Sequence, residues 1–350
     1  MTLRGKWPWL WNLSRCDAGQ LATIAGQLKA AGCAGIIIKT WDGTHSFPQR
    51  GPSGLIPLET IGATLHAAGL KVATWGYCYG ADPAGEAAIA AATASDADAD
   101  AIILDVEVEY KRKEPQAHIL CSDLRRSLPD VPLLYSTFAI ARYHRDFPFD
   151  SFNEHCAETI PQIYWNAFGW PMAQSLQMTY DDYRGMGVEP HHVLPAGGLY
   201  TEGTVTYPTP PDVRAFIQAA KEAGSPGCSF WGYEHMDQTM WDAVAAIQWP
   251  VPDMPWTGWQ GEDDMSFTDD DRLVLLDIQK KTRPPLVRVA GTGRVYIYDP
   301  ATADLTHVIG PEILEESNEA FKDVHDLPSE HPIWNLETRF PAGVPQELRA

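Results

Sequence analysis

Residues 101–109 read Ala101-Ile102-Ile103-Leu104-Asp105-Val106-Glu107-Val108-Glu109. An apolar, β-branched opening of this kind forms a strand buried on both faces, as parallel sheets require. Carboxylates then alternate with valines. A period of two sends Asp105, Glu107 and Glu109 to one side and Val106 and Val108 to the other. The valines are expected to pack against covering helices, which leaves the three carboxylates facing the opposite side at the carboxyl end of the strand. Helix-like stretches flank the run, an Ala-rich one at 84–94 and another at 117–127.

The same alternation extends outward in both directions. Strands are predicted at 5–12, 34–39, 71–77, 132–137, 159–165, 193–199 and 227–233, together with 101–109. Helices are predicted at 18–31, 58–68, 84–94, 117–127, 172–186, 211–223 and 238–247. Gly32, Gly69 and Gly224 fall just past helix ends, where a left-handed residue closes the last turn. The crossover from 137 to 159 carries no amphipathic pattern and is expected to be irregular. Eight strand–helix units over about 250 residues predict the α/β class and a (β/α)8 TIM barrel. A doubly wound sheet fits less well, because no Gly-rich phosphate turn follows the first strand.

The chain has 350 residues, so a barrel at 1–250 leaves room for a Pro-, Trp- and acid-rich linker at 251–267 and a small α+β module at 268–350. In that module Thr268 is a candidate N-cap for a helix whose first turn holds Asp269, Asp270 and Asp271 and whose end holds Lys280 and Lys281. A hairpin is expected at 286–298 around Gly291-Thr292-Gly293, a strand at 305–309 and a short helix at 312–321. Residues 251–350 hold 19 acidic and 9 basic side chains. So small a segment has little core of its own. It is expected to dock on the barrel, on a copy of itself (a homo-oligomer) or on another protein.

The formal net charge is −20. Nucleic-acid binding needs a basic footprint, and an anionic membrane surface repels an acidic chain, so neither is an expected partner. No apolar run reaches the roughly 18 residues of a membrane span, and residues 1–11 lack the apolar core of a secretory signal. The six cysteines show no metal-site spacing and read as buried reduced thiols. His191 and His192 precede a strand, on the amino-terminal face of the barrel, and His45 has no evident partner. No metal and no cofactor is expected.

Catalytic groups of such barrels gather at the carboxyl ends of the strands. Crowded carboxylates cannot all ionise freely, and a raised carboxyl pKa suits a general acid near neutral pH. Glu107 is the candidate acid and Asp105 its partner. A strand-end salt-bridge cluster with Lys111, Arg112 and Lys113 is the competing reading. The other strand ends offer Asp42, Trp41, Tyr77, Glu109, Tyr135, Tyr164, Asn166, Tyr200, Trp231 and Glu234 as candidate substrate-binding residues. Aromatic faces of this kind suit sugar rings. Asp42 and Glu234 are candidate second carboxylates, with loop capping as the alternative role for each.

The run Ala101–Glu107 resembles the fourth-strand signature of family 18 chitinases, which ends in D-x-E. Family 25 lysozymes carry a similar D-x-E, and their second strand resembles Gly35-Ile36-Ile37-Ile38-Lys39-Thr40. The resemblance covers roughly residues 5–248. It implies a glycosidase barrel in which Glu107 is the acid, Asp105 assists it, Tyr164 or Asn166 orients an N-acetyl group, and Trp231 stacks under a sugar. Three positions depart from it, one being Tyr164-Trp165 where chitinases have a sixth-strand Tyr-Asp pair. Ile103 stands where chitinases have a further Asp, and Trp9-Leu10-Trp11-Asn12 lacks the first-strand Asp of the lysozymes. Residues 287–309 resemble small modules of minor tail proteins and lysins from phages of actinobacteria. The implied protein is a phage tail-associated glycoside hydrolase acting on N-acetylated cell-wall glycan. Its partners would be cell-wall or surface polysaccharide and other phage tail proteins. It would be made in the host cytoplasm without a signal peptide and located in the virion. A non-catalytic glycan-binding barrel and a purely structural tail protein stand as alternatives.

Overall fold

The computed structural model describes residues 3–201, residue 205, residues 207–249 and the backbone of four strands between 286 and 327. The chain divides into two compact units, Met1–Gln260 and Gly261–Ala350.

In the first unit eight parallel strands close on themselves. They are β1 (Gly5–Leu10), β2 (Gly35–Asp42), β3 (Lys71–Cys78), β4 (Ala101–Val106), β5 (Leu133–Phe138), β6 (Glu158–Ile163), β7 (Ala196–Gly198) and β8 (Gly227–Trp231). β1 pairs with β8 on one side and β2 on the other, which closes the barrel. Between strands run α1 (Leu21–Ala30), α2 (Leu58–Ala67), α3 (Pro83–Asp96), α4 (Glu114–Ser127), α5 (Phe149–His155), α6 (Trp165–Phe168), α7 (Met172–Gly185) and α8 (Pro210–Glu222), and α9 (Gln238–Ala245) follows β8. The (β/α)8 expectation therefore holds. The 137–159 crossover contains one helical turn and the two-turn α5, too short to show a periodic stripe.

Alternation along the strands separates two cores. Trp7, Trp9, Ile37, Ala73, Trp75, Ile103, Leu134 and Ile160 fill the lumen. Ile36, Ile38, Val72, Leu104, Val106 and Tyr135 pack outward on the helices. The second strand breaks this alternation. The β2–β3 register shifts between Lys39 and Trp41, so Thr40 and Trp41 both face the helical layer, where Trp41 is fully buried. Gly76 makes this possible, since a Cβ there would lie 2.3 Å from the Trp41 ring.

The fourth strand is shorter than its alternation suggests. It ends at Val106, and Val108–Tyr110 form one 3-10 turn. Val106 packs against the helices as expected, but Val108 is exposed. The turn forms because Tyr110 is drawn into the core, where its hydroxyl donates to the Glu86 carboxylate at 2.9 Å. Glu86, buried on α3, also accepts from the Tyr79 N–H at 2.6 Å and the Gly80 N–H at 2.9 Å. It thereby fixes the loop after β3.

In the second unit Leu286–Val289 pairs antiparallel with Val295–Asp299, which pairs antiparallel with Asp304–Val308, and His325–Leu327 adds parallel to the first strand. The hairpin expected at 286–298 is present. The expected linker and the helices at 268–281 and 312–321 lie outside the described residues.

Candidate functional site

Strand phase assembles the site at the carboxyl end of the barrel. Ile103 and Asp105 share the inward parity of β4, and Glu107 follows just past the strand end. On β6 the inward parity runs Ile160, Gln162, Tyr164, and on β5 it runs Leu134, Ser136. The Gln162 side-chain amide binds the two carboxylates together, donating to Asp105 Oδ1 at 3.0 Å and Glu107 Oε1 at 3.0 Å. It also reaches Ser136 Oγ at 3.3 Å. Tyr77 on β3 donates its hydroxyl to Glu109 Oε2 at 2.5 Å. Asp105, Glu107, Glu109, Gln162, Tyr77 and Tyr164 all keep partial exposure, so the cluster opens to solvent.

Burial pushes the Asp105 carboxyl well above the usual range, Glu107 adds to the rise, and Lys39 and the Gln162 amide oppose it. Glu107 is raised as well, chiefly by burial and further by Glu109, against the Gln162 hydrogen bond. The two accept from one amide and Glu107 raises Asp105, so the protons belong to the pair rather than to either residue. Burial first, then the carboxylates, raises the hydroxyls of Tyr77 and Tyr164, so both stay neutral donors.

Acids whose folded pKa lies above the unfolded value contribute stability at low pH and lose it as pH rises through the folded pKa. An Asp105→Asn/Glu107→Gln double variant is therefore expected to be more stable than the parent at neutral pH. The difference should shrink as pH falls below the carboxylate range. Urea unfolding at a series of pH values measures this, and a gap that widens on acidification would contradict it.

The aromatic rim comes from neighbouring strands. Trp231 meets Trp75 edge-on at 5.5 Å and Trp9 at 6.1 Å, and it keeps partial exposure while the other two are buried. Tyr164 meets Tyr200 edge-on at 5.7 Å, and the Asn166 amide donates to the Tyr200 carbonyl at 3.1 Å. Gly198 admits this convergence, since a Cβ would stand 2.9 Å from Tyr200, 3.0 Å from Asn166 and 3.2 Å from Tyr164.

Four expected contacts take other roles. Trp41 and Tyr135 lie behind the barrel wall rather than at its mouth. Trp41 is turned outward by the β2 irregularity. Tyr135 has the outward parity of β5, stacks on Phe152 and donates to Asn153 at 2.6 Å. Glu234 accepts from the backbone N–H groups of Trp11 and Asn12, each at 3.3 Å, and so caps the loop after β1. Asp42 is held by the Lys39 ammonium at 2.6 Å and the Tyr79 hydroxyl at 2.9 Å. Loop-holding is thus the role seen for both acids.

Gln162, Ser136 and Lys39 were not among the expected site residues. A lone amide in the buried strand 158–163 is the signal that marks Gln162, and extending the parity of Leu134 would have found Ser136 in place of Tyr135. Lys111 pairs with Asp146 at 3.0 Å rather than with the acidic triplet, so the competing salt-bridge reading does not hold for it. The six cysteines are buried and free. Among the described residues, His118, Glu154 and His155 form the one triplet spaced for a metal ion. It lies on the outer helical layer, and its imidazoles hydrogen-bond each other at 2.9 Å. Among the described residues no helix is long and apolar enough to cross a membrane.

Barrels of this design recur in solved structures. A chitinase from Chromobacterium violaceum superposes with a TM-score of 0.54 at 11% identity, covering 70% of this chain and 100% of that one. The spore cortex-lytic enzyme SleL of Bacillus cereus gives 0.54 at 9% identity, covering 69% of this chain and 73% of that one. A family 18 chitinase from Cycas revoluta, in complex with (GlcNAc)3, gives 0.51 at 10% identity over 69% of this chain and 98% of that one. At these identities the likeness is one of fold. No protein-family model and no curated protein sequence matches the chain.

Proposed function

We propose that the barrel is a glycoside hydrolase acting on N-acetylated glycan. The observation that carries this reading is the pair Asp105 and Glu107, joined by one Gln162 amide, raised in pKa, and open to solvent beside Trp231 and Tyr164. A protonated carboxyl at neutral pH is what a general acid needs to protonate a glycosidic oxygen. Glu107, nearer the mouth, is that acid, and Asp105 supports it. The neighbouring acids are engaged elsewhere: Asp42 by Lys39, Glu109 by Tyr77 and Glu234 by backbone amides. This favours a substrate-assisted route, in which the sugar's own N-acetyl oxygen attacks the anomeric carbon as the leaving oxygen takes the proton. Tyr164 then orients the acetamido group and Trp231 supports the sugar face. Two of the structural neighbours are chitinases and one is a cortex-lytic enzyme, which supports this substrate class.

The test is release of reducing ends from N-acetylglucosamine oligomers and from purified peptidoglycan. Saturable binding without soluble product assigns the barrel to recognition alone. Neither binding nor release removes the reading in favour of a structural part.

The second unit is proposed to attach the barrel to a phage tail. Its support is the sequence resemblance of residues 287–309 and the acidic composition of residues 251–350. A truncation ending near Pro250 is expected to stay folded and keep any glycan activity while losing assembly into particles. Normal assembly of the truncated chain would move attachment to the barrel.

A further inference from the structure

Lysine is rarely buried without a task. Lys39 is 6% exposed, and its ammonium lies at the mouth of the barrel among three aromatic rings. Ring centroids of Phe47, Trp75 and Trp11 stand 4.9, 5.0 and 5.9 Å from Nζ. Its hydrogen-bonded partner is Asp42 at 2.6 Å. The register places that partner in line with the reacting pair: Asp42 is opposite Tyr77, and Tyr77 is opposite Asp105. Lys39 itself is opposite Trp75, which is opposite Ile103. The lysine therefore starts one inward position deeper in the barrel, and its chain carries the charge up to the row of Asp105. Aromatic walls keep water away from the ammonium, so its field is weakly screened.

We propose that Lys39 is a positioning residue whose charge holds the Asp105–Glu107 pair at one shared proton, so that an acid and an anion are present together. The inference rests on the glycosidase reading for its purpose but not for its test. Two buried carboxyls with no counter-charge would both stay protonated, and the pair would then lack its anion. Among the described residues, the other titratable groups facing the pair are Glu109 beyond β4, Tyr77 on β3, Tyr164 after β6 and, in the same row, Asp42 on β2. None of these carries positive charge. The pull of Lys39 on Asp105 acts against burial and against Glu107.

The experiment is a carbon-13 NMR titration of the Asp and Glu carboxyls in the full chain. A nearby opposite charge lowers a carboxyl pKa by roughly one unit or more. Lys39→Met is therefore expected to move the first deprotonation of the pair up by about one unit. Asp42→Asn, which removes an opposing anion and releases the ammonium, should move it down. Opposite signs from two neighbouring substitutions are not expected of a general loosening of the loop. If Lys39→Met does not fold, the downward shift in Asp42→Asn carries the test alone. An unmoved titration in Lys39→Met, or an upward shift in Asp42→Asn, overturns the inference. The readout is independent of turnover: a chain that shifts as expected but cuts no glycan leaves the role of Lys39 standing and removes only the glycosidase reading.

Discussion

Glu107→Gln is expected to lower release of reducing ends from N-acetylated glycan by about 10²–10⁴-fold, the usual worth of a positioned general acid. The amide preserves the size of the side chain and an oxygen acceptor for Gln162, so the bridge to Asp105 and the fold should persist. What is lost is the proton that Glu107 delivers to the leaving oxygen. Glycan binding should survive, because Trp231 and Tyr164 are untouched. Product analysis by reducing-end assay, with a binding isotherm on the same oligomers, separates the two effects. Unchanged release would take the acid role away from Glu107. A parallel loss of binding would make the residue a recognition group instead.

Lys6→Met is expected to be the most damaging substitution away from the site. The Lys6 side chain is fully buried on the outer side of β1. Its ammonium donates to the carbonyls of Ala31 at 2.7 Å, Val244 at 2.7 Å and Ile247 at 2.8 Å. Those carbonyls follow α1 or lie at the end of α9, so a single charge ties the last helix of the barrel to its first strand and first helix. Burial holds the ammonium below the ordinary lysine pKa, yet three carbonyls at helix ends favour the charged form. Methionine fills the space but leaves the three acceptors unpaired. Leaving a buried carbonyl without a donor costs about 1–3 kcal/mol, and three are left here, although part of this is returned because no charge is then desolvated. At roughly 2–4 °C per kcal/mol for a domain of this size, the melting temperature should fall by about 10 °C. Thermal unfolding followed by circular dichroism checks this. A change of only a degree or two would show that water replaces the lysine at low cost.

The two expectations draw on different levels of the molecule. The acidic alternation at 101–109 was legible before any fold was known, because a period of two needs only neighbouring residues. It put Asp105 and Glu107 together on one side and Val106 on the other. It failed at Val108, because the strand ends where Tyr110 finds a buried partner on α3, and no local pattern reports that partner. Aromatic content near strand ends was equally visible, but its orientation was not. By type alone Tyr135 and Trp41 are rim residues. Parity turns Tyr135 outward, and an irregularity between β2 and β3 turns Trp41 outward.

By itself the sequence determined the alternation of strands and helices, hence the (β/α)8 class, and the row of carboxylates at the end of one strand. These follow from periodicity and from Gly stops, both of which act over a few residues. Only the tertiary structure decided which groups meet. Gln162 bridges Asp105 and Glu107 from a strand more than fifty residues away, Glu234 caps the loop after β1 from the turn that follows the last strand, and Lys39 brings its charge to the row of Asp105 from two strands off. The physical reason is closure. Bending eight strands into a barrel brings side chains of matching parity to one mouth, and which of them touch depends on the register between strands, a property that no single strand contains.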